Sequence, residues 1–259
     1  MTAVKIFVSV RDRYRQTVAC VDSLSATTAG KADICIYDNG SEAEFEPLQK
    51  AYRGWLASWK VSQVVLNRPD LLSGVYWSKN FAWAQFLAMM ELLPPSEREY
   101  LVMADNDIVA KPGWLEASLK ILGKAESDIA VVSPYDGPPD PKSNPEIFHV
   151  LEEAVIQGHR IEIRDACCSR LWVAPYRFWR RWPPPTHERI ERDGKPDRMP
   201  TDWYYWTKMR EARLRFAVLT PPLAHNPQHS WSSARMGNGI GADCKGEKST
   251  SPSLKPGSL

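Results

Sequence analysis

Cysteine is scarce and shows no pairing pattern. The five residues Cys20, Cys35, Cys167, Cys168 and Cys244 are odd in number, with no Cys-x-x-Cys spacing, which argues against a disulfide framework or a zinc knuckle. An excess of either charge is also lacking. The 33 basic and 31 acidic residues leave a formal charge of +2, too weak a field to hold a nucleic-acid backbone across a broad face. The longest apolar stretch, residues 81–93, is interrupted by Gln85 and Glu91; it is too short to span a bilayer and reads as a core helix. The opening MTAVKIFVSV runs directly into a strand pattern, with no charged n-region, long h-region or cleavage site, so a cytoplasmic protein is expected. No internal repeat and no Walker loop is present, and Ser9-Val10-Arg11-Asp12 stands where a Gly-rich fingerprint would follow a first strand. His225 and His229 are four apart, but Pro227 lies between them and excludes the helix that a zinc-protease pair needs.

What is present suits an ordinary globule: 259 residues, 43% hydrophobic and 25% charged. Eleven Trp and 21 Pro are unusual; the tryptophans suit core, sugar platforms or membrane-interface anchors alike. β-rich runs at residues 5–10, 33–37, 61–66, 100–104 and 129–133 alternate with helical patterns around 14–25, 45–59, 76–93 and 114–122. This alternation predicts a single-domain α/β fold, a mainly parallel sheet flanked by helices. Continuous apolar runs are what a sheet covered on both faces requires. The second half is less regular. A Pro/Asp-rich loop is expected over 134–145, strands at 161–163 and 171–174, a polar, mobile loop over 182–200, a helix over 202–212 and a last strand over 216–219. From Gly237 the composition turns to Gly, Ser, Lys and Pro, as in a flexible tail.

The segment Leu101-Val102-Met103-Ala104-Asp105-Asn106-Asp107 drives an apolar strand into two carboxylates one residue apart. In open α/β sheets ligands bind at the carboxyl ends of strands, and paired carboxylates there suit a hard divalent ion that shares substrate phosphates. Asp38-Asn39-Gly40-Ser41 ends the second strand on the same rim; it also reads as ordinary turn chemistry. Thr201-Asp202 opens a helix beside Trp203, Tyr204, Tyr205 and Trp206. Asp202 is a helix-start residue by type, or a general base beside aromatic walls. The stretch 171–182 mixes aromatics with Arg177, Arg180 and Arg181. It suggests an acceptor patch, or peripheral membrane contact through Trp179, Arg180, Arg181 and Trp182.

The order of these motifs resembles GT-A fold glycosyltransferases, most closely the inverting family 2. The matching pieces are ICIYDNGS at 34–41, Gly74 and Ser78-Lys79-Asn80 leading a helix, the strand end at 100–107, Pro112-Gly113-Trp114-Leu115, and Thr201-Asp202. The resemblance spans about residues 4–230 and implies a domain over 1–236, with a nucleotide-binding half over 1–133, an acceptor half over 134–236 and a tail over 237–259. It implies transfer of a sugar from a nucleotide-diphosphate donor, a UDP-sugar favoured, to a saccharide or glycolipid hydroxyl, as in polysaccharide biosynthesis. Ser9, Arg11, Asp38, Lys79 and Asp105 would contact the nucleotide; Asp107, Asp105 and His225 would hold Mn or Mg; Asp202 would be the base. Thr201 stands in place of the usual Glu, and Ser-Lys-Asn in place of Ala-Arg-Asn. A Trp-rich carbohydrate-binding protein without catalysis and a retaining transferase are the rival readings.

Overall fold

The computed structural model describes residues 3–28, 30–67, 79–124, 128–135, 150–184, 189–192, 195–198 and 201–227. All lie within one compact unit, Met1–His229. The strands are β1 (Val4–Val10), β2 (Ala32–Asp38), β3 (Gln63–Leu66), β4 (Tyr100–Asp105), β5 (Val109–Ala110), β6 (Ile129–Ser133), β7 (Val150–Ile156), β8 (His159–Arg164), β9 (Leu171–Pro175), β10 (Arg189–Arg192), β11 (Lys195–Arg198), β12 (Arg215–Leu219) and β13 (Ala224–His225). The helices are α1 (Tyr14–Thr28), α2 (Phe45–Ala57), α3 (Lys79–Glu91), α4 (Trp114–Leu122), α5 (Tyr176–Arg181) and α6 (Thr201–Glu211).

Nine strands form one sheet in the order β3-β2-β1-β4-β9-β6-β12-β8-β7. β1 pairs in parallel with β2 and with β4, while β9 and β8 run against their neighbours. The expected α/β architecture with a mainly parallel sheet is what the chain adopts. Ser9 lies opposite Asp105 and Val10 opposite Asp38, so the carboxyl ends of three strands share one rim. Short pairs β5–β13 and β10–β11 stand outside this sheet. Gly113 opens α4 in the left-handed region at φ 86°, a conformation that glycine adopts without Cβ strain.

One side of the sheet packs Val8, Leu24, Ile36, Leu48 and Trp114. The other packs Phe7, Trp83, Phe86, Trp172, Trp179 and Tyr205. Trp83, Trp114, Trp172 and Trp179 are among the largest fully buried side chains. Trp83 meets Trp179 edge-on with centroids 4.9 Å apart, a favourable arrangement of ring quadrupoles. Each buried indole N–H named here has a partner: Trp83 donates to the Tyr205 hydroxyl (3.0 Å), Trp179 to the Leu101 carbonyl (3.2 Å), and Trp114 to the Thr27 hydroxyl (2.9 Å).

The tryptophan question is thus answered mainly in favour of core, and Trp179 is removed from any surface patch. Trp182 is half-buried, while Arg177, Arg180 and Arg181 are exposed. No helix among the described residues is long and apolar enough to cross a membrane.

One expectation needs correction. The polar segment 182–200 holds the antiparallel pair β10–β11 where a loop was expected; Asp193-Gly194 between the strands is a hairpin-turn signal. β7 was not anticipated: it is an edge strand with exposed Val150, Leu151 and Val155, and its Glu152-Glu153 pair breaks the apolar alternation. Helix α3, Lys79–Glu91, lies inside the span expected to be helical. The expectations for 68–78, most of 134–145, and 237–259 lie outside the described residues.

The packing leads to one measurable contrast. Trp179→Ala removes a fully buried indole and is expected to cost about 3–5 kcal/mol in denaturant unfolding. Trp59→Ala, where the ring is 90% exposed, is expected to stay within about 0.5 kcal/mol. A Trp179 variant as stable as wild type would contradict the core assignment.

Candidate active site

The rim opposite the strand starts is where β4 ends. Asp105 closes that strand, and the chain turns through Asn106 and Asp107 before β5. Asn106 is held inward, its side-chain amide donating to the Thr17 hydroxyl at 2.8 Å. Asp107 is 5% exposed. Its Oδ2 accepts from Arg170 Nη1 at 2.6 Å, Arg13 Nη1 at 3.0 Å and Asn226 Nδ2 at 3.1 Å. Its Oδ1 is buried without a hydrogen-bond partner among the described residues.

Arg13 reaches Asp107 from a turn that the backbone would not choose unaided. Asp12 and Arg13 both have positive φ, 52° and 59°. Non-glycine residues held in the left-handed region cost about 1–3 kcal/mol each where surrounding contacts enforce them. Here the contacts are numerous. The Asp12 carboxylate accepts the backbone N–H of Glu42 (2.9 Å) and Glu44 (3.2 Å). The Asp12 N–H donates to the Ser41 hydroxyl at 2.7 Å, and the Tyr14 N–H to the Glu44 carboxylate at 2.6 Å. The loop after β2 therefore fixes the loop after β1.

Asp38 is the anchor of that second loop. It is 2% exposed; Oδ1 accepts the Ser41 N–H and Oδ2 the Tyr52 hydroxyl, both at 2.8 Å. These bonds hold the loop after β2 to α2. Asn39 donates to the Ser9 hydroxyl at 3.0 Å, and Asn67 donates to the Asn39 side-chain oxygen at 3.2 Å.

The remaining side of the rim is made by two helix starts. Thr201 Oγ1 donates to Asn80 Oδ1 at 2.6 Å, which ties the first turn of α6 to that of α3. Lys79, one residue before, places its ammonium 2.5 Å from Asp105 Oδ1 and 3.0 Å from the Ser169 carbonyl. Asp202, one residue after Thr201, is close enough for both Lys79 and Asp105 to act on its charge. Burial raises its pKa above the ordinary aspartate value, the Lys79 cation partly offsets this, and Asp105 adds to it. Cys168 shares these neighbours, and its thiol is raised to about 11, chiefly by burial; it remains protonated near neutrality.

Of the residues expected at the site, Lys79, Asp105, Asp107 and Asp202 are brought together, and Ser9 and Asp38 brace the adjoining loops. Arg11 is exposed. His225 is exposed on β13, paired through its backbone with Val109. Burial and the Lys111 cation lower its pKa. The residue that reaches Asp107 from this segment is the next one, buried Asn226. Asp12, Arg13, Arg170 and Asn226 were not anticipated. Asn226 had a signal in its adjacency to His225. Arg170 had none, because its place depends on β9 entering antiparallel beside β4, with the Asp105 N–H donating to the Arg170 carbonyl at 2.8 Å.

Among the described residues no three His, Cys, Asp or Glu side chains converge. A Mg or Mn ion needs fewer, since one or two carboxylates plus substrate phosphates suffice. The unpartnered Oδ1 of Asp107 beside the Asp105 carboxylate is a donor set that fits such an ion.

Comparison with known proteins bears on the fold. No curated protein matches the chain. Among solved structures, a mannosyltransferase from Pyrobaculum calidifontis in complex with GDP-Man and Mn2+ superposes with a TM-score of 0.56 at 16% identity, covering 90% of this chain and 59% of its own. S. aureus TarS, residues 1–349, gives 0.51 at 12% identity, with coverage of 84% and 58%. GalNAc-T7 with UDP, GalNAc and Mn2+ gives 0.57 at 11% identity, with coverage of 86% and 43%. The chain thus spans less than two thirds of each of these proteins, and at such identity the likeness is one of fold. The model of glycosyl transferase family 2 matches residues 6–212, most of the chain, and it is to this family that the chain belongs.

Proposed function

We propose that the chain moves one sugar from a nucleotide-diphosphate donor, a UDP-sugar favoured, to a hydroxyl of a saccharide or glycolipid acceptor, with inversion at the anomeric carbon. The observation that carries this reading is the meeting of Asp202, Lys79 and the Asp105–Asp107 pair on one rim. In this reading residues 1–133 form the nucleotide-binding half, and the acceptor is held by 134–236.

Asp202 accepts the proton of the acceptor hydroxyl as its oxygen bonds to the anomeric carbon. The bond from that carbon to the diphosphate oxygen breaks with its electron pair leaving on the diphosphate. Such in-line displacement proceeds through an oxocarbenium-like transition state. Asp105 and Asp107 would hold a divalent ion, Mn or Mg, whose positive charge offsets the charge developing on the leaving group. Lys79, already on Asp105, adds a cation to the same face. Raising the pKa of Asp202 by burial makes it a stronger base than a solvated aspartate.

Measurements on Asp202 test this reading first. Asp202→Asn is expected to lower kcat by about 10²–10⁴-fold while leaving nucleotide binding intact; near wild-type turnover would refute the base. In wild type, kcat should rise with pH as Asp202 ionises, with a midpoint above the ordinary 3.8. The same raised pKa means that the charged form is less favourable folded than unfolded. That penalty is absent below the unfolded pKa and complete above the folded one. Asp202→Asn should therefore raise Tm at about pH 7 and leave it unchanged at about pH 3.

Thermal shifts with UDP, GDP, dTDP and CMP, each with and without Mn2+, identify the donor base. A ligand at about 100 times its Kd contributes ~2.7 kcal/mol. Asp107→Ala should abolish the Mn2+-dependent part of the shift; an undiminished shift would remove Asp107 from that role. Anomeric configuration of the product decides between inversion and retention.

A further inference from the structure

Asp107 carries more positive charge than its own neutralisation requires. One guanidinium would satisfy a buried carboxylate, yet Arg13, Arg170 and the Asn226 amide all converge on Oδ2, leaving Oδ1 with none. Both arginines remain open to the rim: the side chain of Arg170 is 25% exposed and that of Arg13 is 56% exposed. Arg13 is held there against backbone strain by four hydrogen bonds between its loop and the loop after β2. Arg170 also lies over the Tyr135 ring, 5.9 Å from its centroid, which limits the arc its guanidinium sweeps. Lys79 stands on the neighbouring carboxylate. Three cations thus border two carboxylates at the strand ends.

Resting on the functional reading above, we propose that Arg170, with Arg13 beside it, binds the diphosphate of the donor, and that Asp107 is the ligand the arginines and the divalent ion share in competition. A guanidinium fork matches phosphate oxygens in pairs. The positive charge of the two guanidiniums would disfavour a divalent ion at Asp107, and they would loosen from Oδ2 were one held there. The donor diphosphate supplies the anionic oxygens to which they turn. Arg170 therefore has two effects of opposite sign: it weakens the ion alone and strengthens the diphosphate.

The opposite signs are the test. In Arg170→Met, binding of Mn2+ alone, read from the free-ion signal in electron paramagnetic resonance, should tighten. Binding of whichever of UDP, GDP and dTDP stabilises wild type most, read by calorimetry, should weaken about tenfold or more. The matching nucleoside without phosphates should bind as it does to wild type. Arg13→Gln, at a more exposed side chain, should move both affinities the same way by less, and serves if the first variant folds poorly. Arg170→Lys should recover part of the nucleotide affinity. If Arg170 merely props Asp107 in place, Mn2+ and nucleotide would weaken together, which overturns the proposal, as does a variant with both affinities unchanged. A wild type that binds no nucleoside diphosphate with Mn2+ would overturn the functional reading itself, whereas wild-type binding with an indifferent variant overturns only the role of Arg170.

Discussion

Everything at the rim depends on the parallel pairing of β1 with β2 on one side and β4 on the other. Parallel strands present their carboxyl ends together, and here the registers set Ser9 beside Asp105 and Val10 beside Asp38. Slipping either pairing by one residue would turn each side chain to the opposite face. The two cores, Val8 and Ile36 on one face and Phe7 and Tyr37 on the other, make such a slip costly. Hydrophobic alternation, which has no chemistry of its own, is what places the carboxylates.

Upon that frame the rim is balanced by charge. Asp105, Asp107 and Asp202 face Lys79, Arg13 and Arg170. None of the carboxylates is reached from its own strand or helix alone. Lys79 comes from α3, Arg13 from the turn before α1, and Arg170 from the turn before β9. The site is therefore assembled by tertiary structure, and its members are separated by up to about three quarters of the chain, from Arg13 to Asp202.

The half of the fold built on parallel pairing was legible because its strands are short apolar runs between helical periods. α4 and β6 fall where the pattern puts them, Trp114–Leu122 and Ile129–Ser133. β7 was hidden because an edge strand buries too little to need an apolar run; it keeps five of its seven residues exposed. Lys79, Asp105, Asp107 and Asp202 were legible because each stands at a strand end or helix start, where chemistry and local signals coincide. Arg13 and Arg170 were not, because what selects them is long-range. One depends on left-handed backbone at two non-glycine residues, the other on an antiparallel strand inserted among parallel ones.

Some of the unfavourable features of the molecule lie where these readings place catalysis. Asp12 and Arg13 hold left-handed backbone, Asp107 Oδ1 is buried without a partner, and burial pushes up the pKa of Asp202. Each would be relieved by a blander residue. They persist because strongly favourable packing surrounds them: Trp83, Trp172, Trp179 and Tyr205 form one aromatic cluster, and Trp83 and Tyr205 join α3 to α6 by a hydrogen bond. That bond spans the same two helices whose first turns carry Lys79 and Asp202. The aromatic core thus reaches the rim, because it braces against each other the two helices that carry Lys79 and Asp202.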